Sequence, residues 1–530
     1  MTRFARPLFW LAGMAVALAA LALNTAHVID PGLHDTKTDP RYWQDLHMAT
    51  GLWRTGLFPA WVAAPGAPPI SFSGADPQVK RPTRQADLTP WDAGWTLPPE
   101  ALDDFTEPRL VRRYDDSGRP LMLGLAFRAL GGVAPLFLYW LGALVAIPVL
   151  LWTSLELCRE RRPIAAVVFS ILVGSSPFVA EALAVSYSAA GFYVAAALSL
   201  GAIAVPAYGT QPLSVRGLLL RAAGGGVVFA LCTLGRGGTL VLLPGFVLAG
   251  LMATRRAALG QASAPSRGKR ALVFLLALAI FAVPLFGARV AIAGRVRHTF
   301  HAFGEGDPEP QQHAFWWGVW TGLGDFDRTK GYRWRDAAAA EAVAAAGGPR
   351  LTGWYYDPRS EEILRRAVTR DIRQDPLWYA GILARRAFAT VSLRKLWPWA
   401  PTSGRSIAAR TSWNEGVMDN YYGLVTPVDW AGAGSLRWEW PIPLMLVPTF
   451  ALLLAAILPW SPPRADVRRD AFLVATLGMT TLILPVAIST ASGIEPQVFA
   501  LTYLMGAALG ADQAAHAVHE WVRRRAGGRP

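Results

Sequence analysis

A series of uncharged apolar runs constrains this chain more than any other feature. They cover residues 8–23, 129–155, 163–180, 182–215, 222–235, 237–254, 271–288, 440–463, 471–494 and 496–511. A bilayer core accepts about 20 apolar residues per helix, so about ten transmembrane helices are expected. The expected fold is an all-α polytopic membrane protein with interfacial helices in its first outer loop and a mainly helical extracytoplasmic segment. Composition agrees: 53% of the 530 residues are hydrophobic and 17% are charged, which is too apolar for an ordinary soluble domain. Cys158 and Cys232 both lie in apolar surroundings, and two cysteines build neither a disulfide framework nor a thiolate metal cage.

A formal charge of +14 raises the question of nucleic acid, and the placement of the basic residues answers it. They lie mostly between the apolar runs. With Arg3 and Arg6 inside and strict alternation thereafter, the inside connections receive Arg159, Arg161 and Arg162, then Arg216 and Arg221, then Arg255, Arg256, Arg267, Lys269 and Arg270. Arg464, Arg468 and Arg469 follow, and Arg523, Arg524 and Arg525 close the tail, whereas the outside turns near Glu181 and Glu495 carry no basic residue. Positive residues are retained on the cytoplasmic side, so much of the charge is topological and no nucleic-acid partner is expected. The location read from this pattern is a cytoplasmic (inner) membrane, with both termini cytoplasmic.

Three regions follow. Residues 1–294 form an N-terminal transmembrane module with a large outer loop at about 24–128. Residues 295–437 form an extracytoplasmic segment with interfacial helices, and residues 438–530 supply the last spans and a basic cytoplasmic tail. The first run is read as an uncleaved anchor, although its basic start and small residues also fit a signal peptide.

The clearest local signal is Asp39-Pro40-Arg41-Tyr42-Trp43, running on to Gly56. Asp caps a helix, Pro suits its first position and Gly ends it. Tyr42, Trp43, Leu46, Ala49, Trp53 and Leu57 recur at helical spacing, with Asp45 and Thr50 mostly opposite, so an amphipathic helix lying in the outer membrane interface is expected.

Several stretches resemble the GT-C superfamily of polyprenyl-phosphate-sugar-dependent glycosyltransferases, the group that includes protein O-mannosyltransferases and lipid A aminoarabinose transferases. They are Asp39, Tyr42, Ala49 and Gly56; Gly118-Arg119-Pro120-Leu121; Arg236-Gly237-Gly238-Thr239 through Pro244; and His313-Ala314-Phe315-Trp316 with Trp320 to Gly324, Gly331-Tyr332 and Asp375-Pro376-Leu377-Trp378-Tyr379. The resemblance departs at Asp39-Pro40, where an Asp-Glu pair is common, and at Glu495-Pro496-Gln497, which lacks an arginine. It implies a glycosyltransferase that moves a sugar from a polyprenyl-phosphate donor to a glycan, lipid or protein acceptor, with inversion and no covalent intermediate.

Such a transfer outside the cytoplasm needs an acceptor base, a cation for the departing phosphate and a dry pocket for the isoprenoid. Asp39 is read as the catalytic base, with capping as a simultaneous or alternative role; Asp30, Asp35 and Asp45 are the fallbacks, Asp45 facing solvent. Arg236 interrupts two apolar runs and is read as a phosphate ligand or as a turn arginine reaching the headgroups. Arg119 is read likewise, with Arg128 and Arg289 as weaker candidates. Tyr42 and His313 complete the substrate-binding set, His313 among aromatics that equally suit a membrane belt. Glu181 and Glu495 are read as solvated turns. Asp325-Phe326-Asp327 has the spacing of an acidic cation pair, but no resident metal or other cofactor is expected. Residues 335–346 read as a solvent-facing helix and 371–394 as one helix burying Leu377, Tyr379, Ile382, Leu383 and Phe388, with Arg385, Arg386 and Arg394 exposed. The rival readings are a transporter or flippase-like protein that binds polyprenyl-linked sugars without chemistry, and a scaffold for envelope assembly.

Overall fold

The computed structural model describes residues 5–28, 40–63, 106–111, 117–132, 137–176, 179, 182–183, 190–259, 267–308, 315–325, 329–333, 336–349, 357–391, 442–457, 465–488 and 498–525. Among them are sixteen α-helices and one short ribbon. In chain order the helices of the first half are α1 (Ala5–Val28), α2 (Pro40–Thr55), α3 (Gly118–Leu130), α4 (Phe137–Arg159), α5 (Pro163–Ser175), α6 (Ala190–Tyr208), α7 (Val215–Gly235), α8 (Leu243–Leu259) and α9 (Arg267–Ala302). A short 3₁₀ turn, Gly237–Leu242, joins α7 to α8. The second half holds α10 (Phe315–Gly322), α11 (Asp336–Ala345), α12 (Pro358–Gln374), α13 (Pro376–Val391), α14 (Ile442–Ile457), α15 (Ala465–Ala487) and α16 (Ala500–Arg525).

Every apolar run named above contains a helix, and among the described residues six stretches are long and apolar enough to cross a membrane: Trp140–Arg159, Gly191–Tyr208, Val215–Gly235, Gly237–Ala257, Arg267–Ala302 and Asp466–Ala487. Pro7–Leu23 and Pro163–Ser175 are shorter apolar helices. The chain is therefore mainly helical, with helices that by length and composition could cross a membrane several times. One departure from the all-α expectation is an antiparallel ribbon of β1 (Ala60–Ala63) and β2 (Glu107–Leu110), in which Ala60 faces Leu110 and Ala63 faces Glu107.

Burial separates two kinds of apolar helix. The span within α6 is 94% buried and forms the axis of the bundle, whereas that within α9 is 11% buried and leaves Leu272, Val283, Phe286 and Val290 on the outside. In water such an exposed face would mark an interaction site; on a helix of this length the bilayer is its natural solvent. α7 and α9 cross closely because Gly226 presents only hydrogen to the other backbone: a β-carbon there would come within 2.3 Å of the Phe281 carbonyl oxygen.

One end of the bundle gathers arginines and buried carboxylates. Glu156 accepts hydrogen bonds from Arg159 and Arg221, both at 2.6 Å, and from the Trp152 indole at 3.2 Å. Glu160 accepts the Gln211 amide at 2.9 Å and faces Arg256 at 3.7 Å. Asp470 receives Arg162 at 2.6 Å and the Gln513 side-chain amide at 2.8 Å. These are the same loop arginines that the alternation of spans places together.

A second core, formed by α10 to α13, packs Trp317, Trp320, Tyr332, Val343, Leu364 and Ile382. Glu361 caps α10, accepting the backbone amides of Trp316 (2.7 Å) and Trp317 (3.0 Å). Burial pushes this carboxyl up from its ordinary range, and the donated amides oppose the shift. Three expectations need correction here. Residues 371–394 are not one helix, because α12 stops at Gln374 and Asp375 caps α13 by accepting the Trp378 amide at 3.0 Å. Leu377 is exposed while Arg386 is fully buried, its guanidinium donating to the Val486 carbonyl at 3.0 Å and so tying α13 to α15. The 335–346 helix, α11, is also not wholly solvent-facing: Ala338, Ala339 and Val343 are buried.

Candidate functional site

The end of the bundle opposite the arginine–carboxylate network is built from α2, α3 and the turn after α7. α2 ends at Gly56, whose amide bonds the Leu52 carbonyl at 3.0 Å and whose φ of +73° suits glycine. The helix is not amphipathic across its middle, however. Residues 45–52 are all buried, because α3 covers one side while Phe58, Val111, Val296 and Phe300 close around Met48 and Leu52. The Phe58 amide donates to Thr299 Oγ1 at 2.9 Å, fastening the end of this segment to α9.

That enclosure overturns the solvent-facing reading of Asp45. Its carboxylate lies 3.0 Å from Arg119 Nε, and the two side chains are 3% and 2% exposed. A buried ion pair of this kind is costly to split and fixes the relative position of the helices that carry it. The neighbouring His47 is also buried, and desolvation holds its imidazole well down, at about 3, so it stays neutral at ordinary pH.

Arg119 opens α3, immediately after Gly118. A β-carbon on Gly118 would come within 2.4 Å of the Leu234 carbonyl carbon, so the start of α3 lies directly against the last turn of α7. Arg236 follows that turn. Its backbone is extended (φ −153°, ψ 104°), its amide bonds the Cys232 carbonyl at 2.8 Å, and its carbonyl accepts both the amide and the hydroxyl of Thr239 at 3.0 Å. The backbone is thus fixed from both sides, while the residue as a whole is only half-buried. Nearby, the Tyr193 hydroxyl packs over Gly238, where it would stand 2.0 Å from a β-carbon.

The structure therefore brings together Asp45, Arg119 and the Arg236 turn. Tyr42 lies in the first turns of α2, with its side chain outside the described residues, and Asp39 and His313 lie outside them altogether, as do Asp30, Asp35, Glu181, Glu495 and Asp327. Arg128 is exposed near Gly56 and Arg289 is exposed on α9, apart from this junction. Among the described residues, no three His, Cys, Asp or Glu side chains are grouped to hold a metal ion.

Comparison with known proteins yields no match. Neither protein-family models, nor curated sequences, nor solved structures match this chain.

The Asp45–Arg119 pair escaped sequence reasoning because it joins residues far apart in the chain. A local signal existed even so: Asp45, Ala49 and Leu52 share the helical spacing of a packed face, and Asp45 belongs to that face. Chemically, the junction offers a half-buried arginine on a fixed turn close to a locked ion pair at the end of an apolar bundle. Such an arrangement can receive an anionic group whose tail remains in hydrocarbon.

Proposed function

We propose that this protein is an integral membrane glycosyltransferase that moves a sugar from a polyprenyl-phosphate donor to an envelope glycan, lipid or protein acceptor on the outer side of the cytoplasmic membrane. The observation that carries this reading is the α2–α3–α7 junction, where Asp45, Arg119 and the Arg236 turn meet at one end of an apolar bundle. The distribution of loop arginines supports about ten spans with both termini in the cytoplasm, leaving this junction outside.

In this reading Arg236 faces the donor phosphate, while the Asp45–Arg119 pair holds α2 against the bundle and so positions the preceding segment. Asp39, directly before α2, takes the proton of the acceptor hydroxyl. The acceptor oxygen then forms its bond to the anomeric carbon as the bond from that carbon to the phosphate oxygen breaks, and the leaving phosphate gains charge beside the guanidinium. Asp39 can also cap α2. The same dipeptide does so elsewhere in the chain, at Asp357-Pro358 and Asp375-Pro376, whose carboxylates accept the amides of Ser360 and Trp378 at 2.7 and 3.0 Å.

Capping and proton transfer are separable, because asparagine caps as well as aspartate but is no base. The test is mass spectrometry of envelope glycans and lipid-linked sugars from cells that lack the gene or carry Asp39→Asn or Arg236→Gln. Each variant should insert normally, accumulate the lipid-linked donor and lose the glycan modification. An unchanged glycan profile in the deletion strain, or full modification in both variants, would refute the assignment.

A further inference from the structure

Between α6, α7, α8 and α9 lies a partly open crevice with a cavity of about 40 Å³, lined by Leu218, Phe246, Gly250, Phe274, Phe281 and Arg221. The Phe229, Phe246 and Phe281 rings pack against one another at its inner end, with centroids 4.9 to 5.4 Å apart. Leu220, Leu248, Leu251 and Leu275 stand exposed on the same stretches of α7, α8 and α9. The walls are thus almost wholly apolar, and an apolar cavity of this size has nothing to offer water.

The exception is Arg221. Its two terminal nitrogens are engaged, one with Glu156 at 2.6 Å and the other with the Gly217 carbonyl at 3.1 Å, but its buried Nε has no hydrogen-bond partner. Buried donors are rarely left unsatisfied. The same ends of α7, α8 and α9 also carry Arg216, Arg255, Arg256, Arg267, Lys269 and Arg270, so basic residues outnumber the neighbouring Glu156, Glu160 and Asp470.

We infer that this crevice is a binding site for an anionic glycerophospholipid, with one acyl chain along the cleft between α8 and α9 and the headgroup phosphate at Arg221 and the surrounding basic cluster. Hydrocarbon supplies what the phenylalanine walls lack, and a phosphate oxygen supplies an acceptor for the unsatisfied Nε. The site lies at the opposite end of α7 from Arg236, so it is separate from the proposed transfer chemistry and rests only on the chain being embedded in a bilayer.

Native mass spectrometry of the detergent-solubilised full chain, titrated with phosphatidylglycerol and with phosphatidylcholine of identical acyl chains, tests the assignment. Phosphatidylglycerol should be retained about tenfold more strongly, a preference of about 1.4 kcal/mol. Arg221→Gln should reduce it to the phosphatidylcholine level. Gly250→Leu tests the crevice without touching a charge: a β-carbon there meets only Phe274, at 3.7 Å, so the larger side chain grows into the cavity and should displace both lipids. Equal retention of the two lipids by the parent chain, or undiminished phosphatidylglycerol on the Gly250 variant, would overturn the site. So would complete displacement by millimolar inorganic phosphate, which would show that the acyl chain contributes nothing. Because neither residue belongs to the α2–α3–α7 junction, glycan profiles of the same variants separate a failure here from a failure of the transferase reading.

Discussion

Arg221 and Arg236 stand about 22 Å apart along α7, at 1.5 Å per residue, and the chain surrounds them in opposite ways. Around Arg221 the carboxylates come with arginines: Glu156, Glu160 and Asp470 each face at least one guanidinium, so every one of these acids is neutralised within a network that keeps a positive surplus. At the Arg236 end there is one enclosed pair, Asp45 with Arg119, and beside it a half-buried arginine on a fixed turn. A network tolerates the loss of a member because other charges and nearby water compensate, whereas an enclosed ion pair tolerates the loss of one partner poorly. The first arrangement suits anchoring, and the second suits a place where geometry has to be exact.

The sharpest way to break this contrast is to remove Arg119. Arg119→Met takes away the cation that faces the enclosed Asp45 and should cost about 3–5 kcal/mol, whereas combining it with Asp45→Asn should restore much of the loss. Thermal unfolding of the solubilised single and double variants measures both. A double variant no more stable than Arg119→Met would show that the pair is not the unit that matters.

Acid should weaken the same end next. His47 is held neutral, with its pKa lowered from 6.5 to about 3. As pH falls below 6.5 the unfolded chain takes up a proton that the folded chain refuses, so stability is lost from about 6.5 down to about 3, at no more than about 1.4 kcal/mol per pH unit. Above 6.5 the residue contributes no pH dependence. Replacing His47 with glutamine should flatten this part of the stability profile; a profile of unchanged slope would place the acid sensitivity elsewhere.

The smallest effect is expected at the network end. Asp470→Asn keeps an acceptor for Gln513 and leaves Arg162 with some access to solvent, so a loss of about 1–2 kcal/mol is expected in the same unfolding assay. A loss as large as that of Arg119→Met would erase the distinction between the two ends.

What could be read from the sequence divides along the same line. Apolar runs and helix caps are local, and they appear in the structure where the sequence put them: the named runs hold helices, α2 starts at Pro40 and ends before Gly56, and α11 lies within 335–346. Pairings across the chain left at most the trace of one partner on a packed face, never the identity of the other. Asp45 looked solvent-facing because a helix pattern reports which face is less polar, not what covers the other one, and here α3 covers it with a complementary charge. Arg386 was misplaced for the same reason, its acceptor being a carbonyl on the distant α15. The single-helix reading of 371–394 failed on a signal that was present: Asp375-Pro376 repeats the start signature of Asp39-Pro40, and apolar periodicity running across it obscured the break. Of the candidate site, Arg236 was legible as a cation interrupting two apolar runs and Arg119 as a basic residue before the second span, but their meeting at Gly118 and Leu234 depends on a backbone approach that spacing does not encode.

α9 has 36 residues and is about 54 Å long, well beyond the roughly 30 Å of a hydrocarbon core. Its last turn includes Thr299, whose hydroxyl accepts the Phe58 amide. A rod of this length works as a lever: a few degrees of tilt imposed by a thinner or thicker lipid layer are delivered at its tip as a displacement of the segment that follows α2. Membrane thickness thereby gains a mechanical route to the α2 end of the bundle.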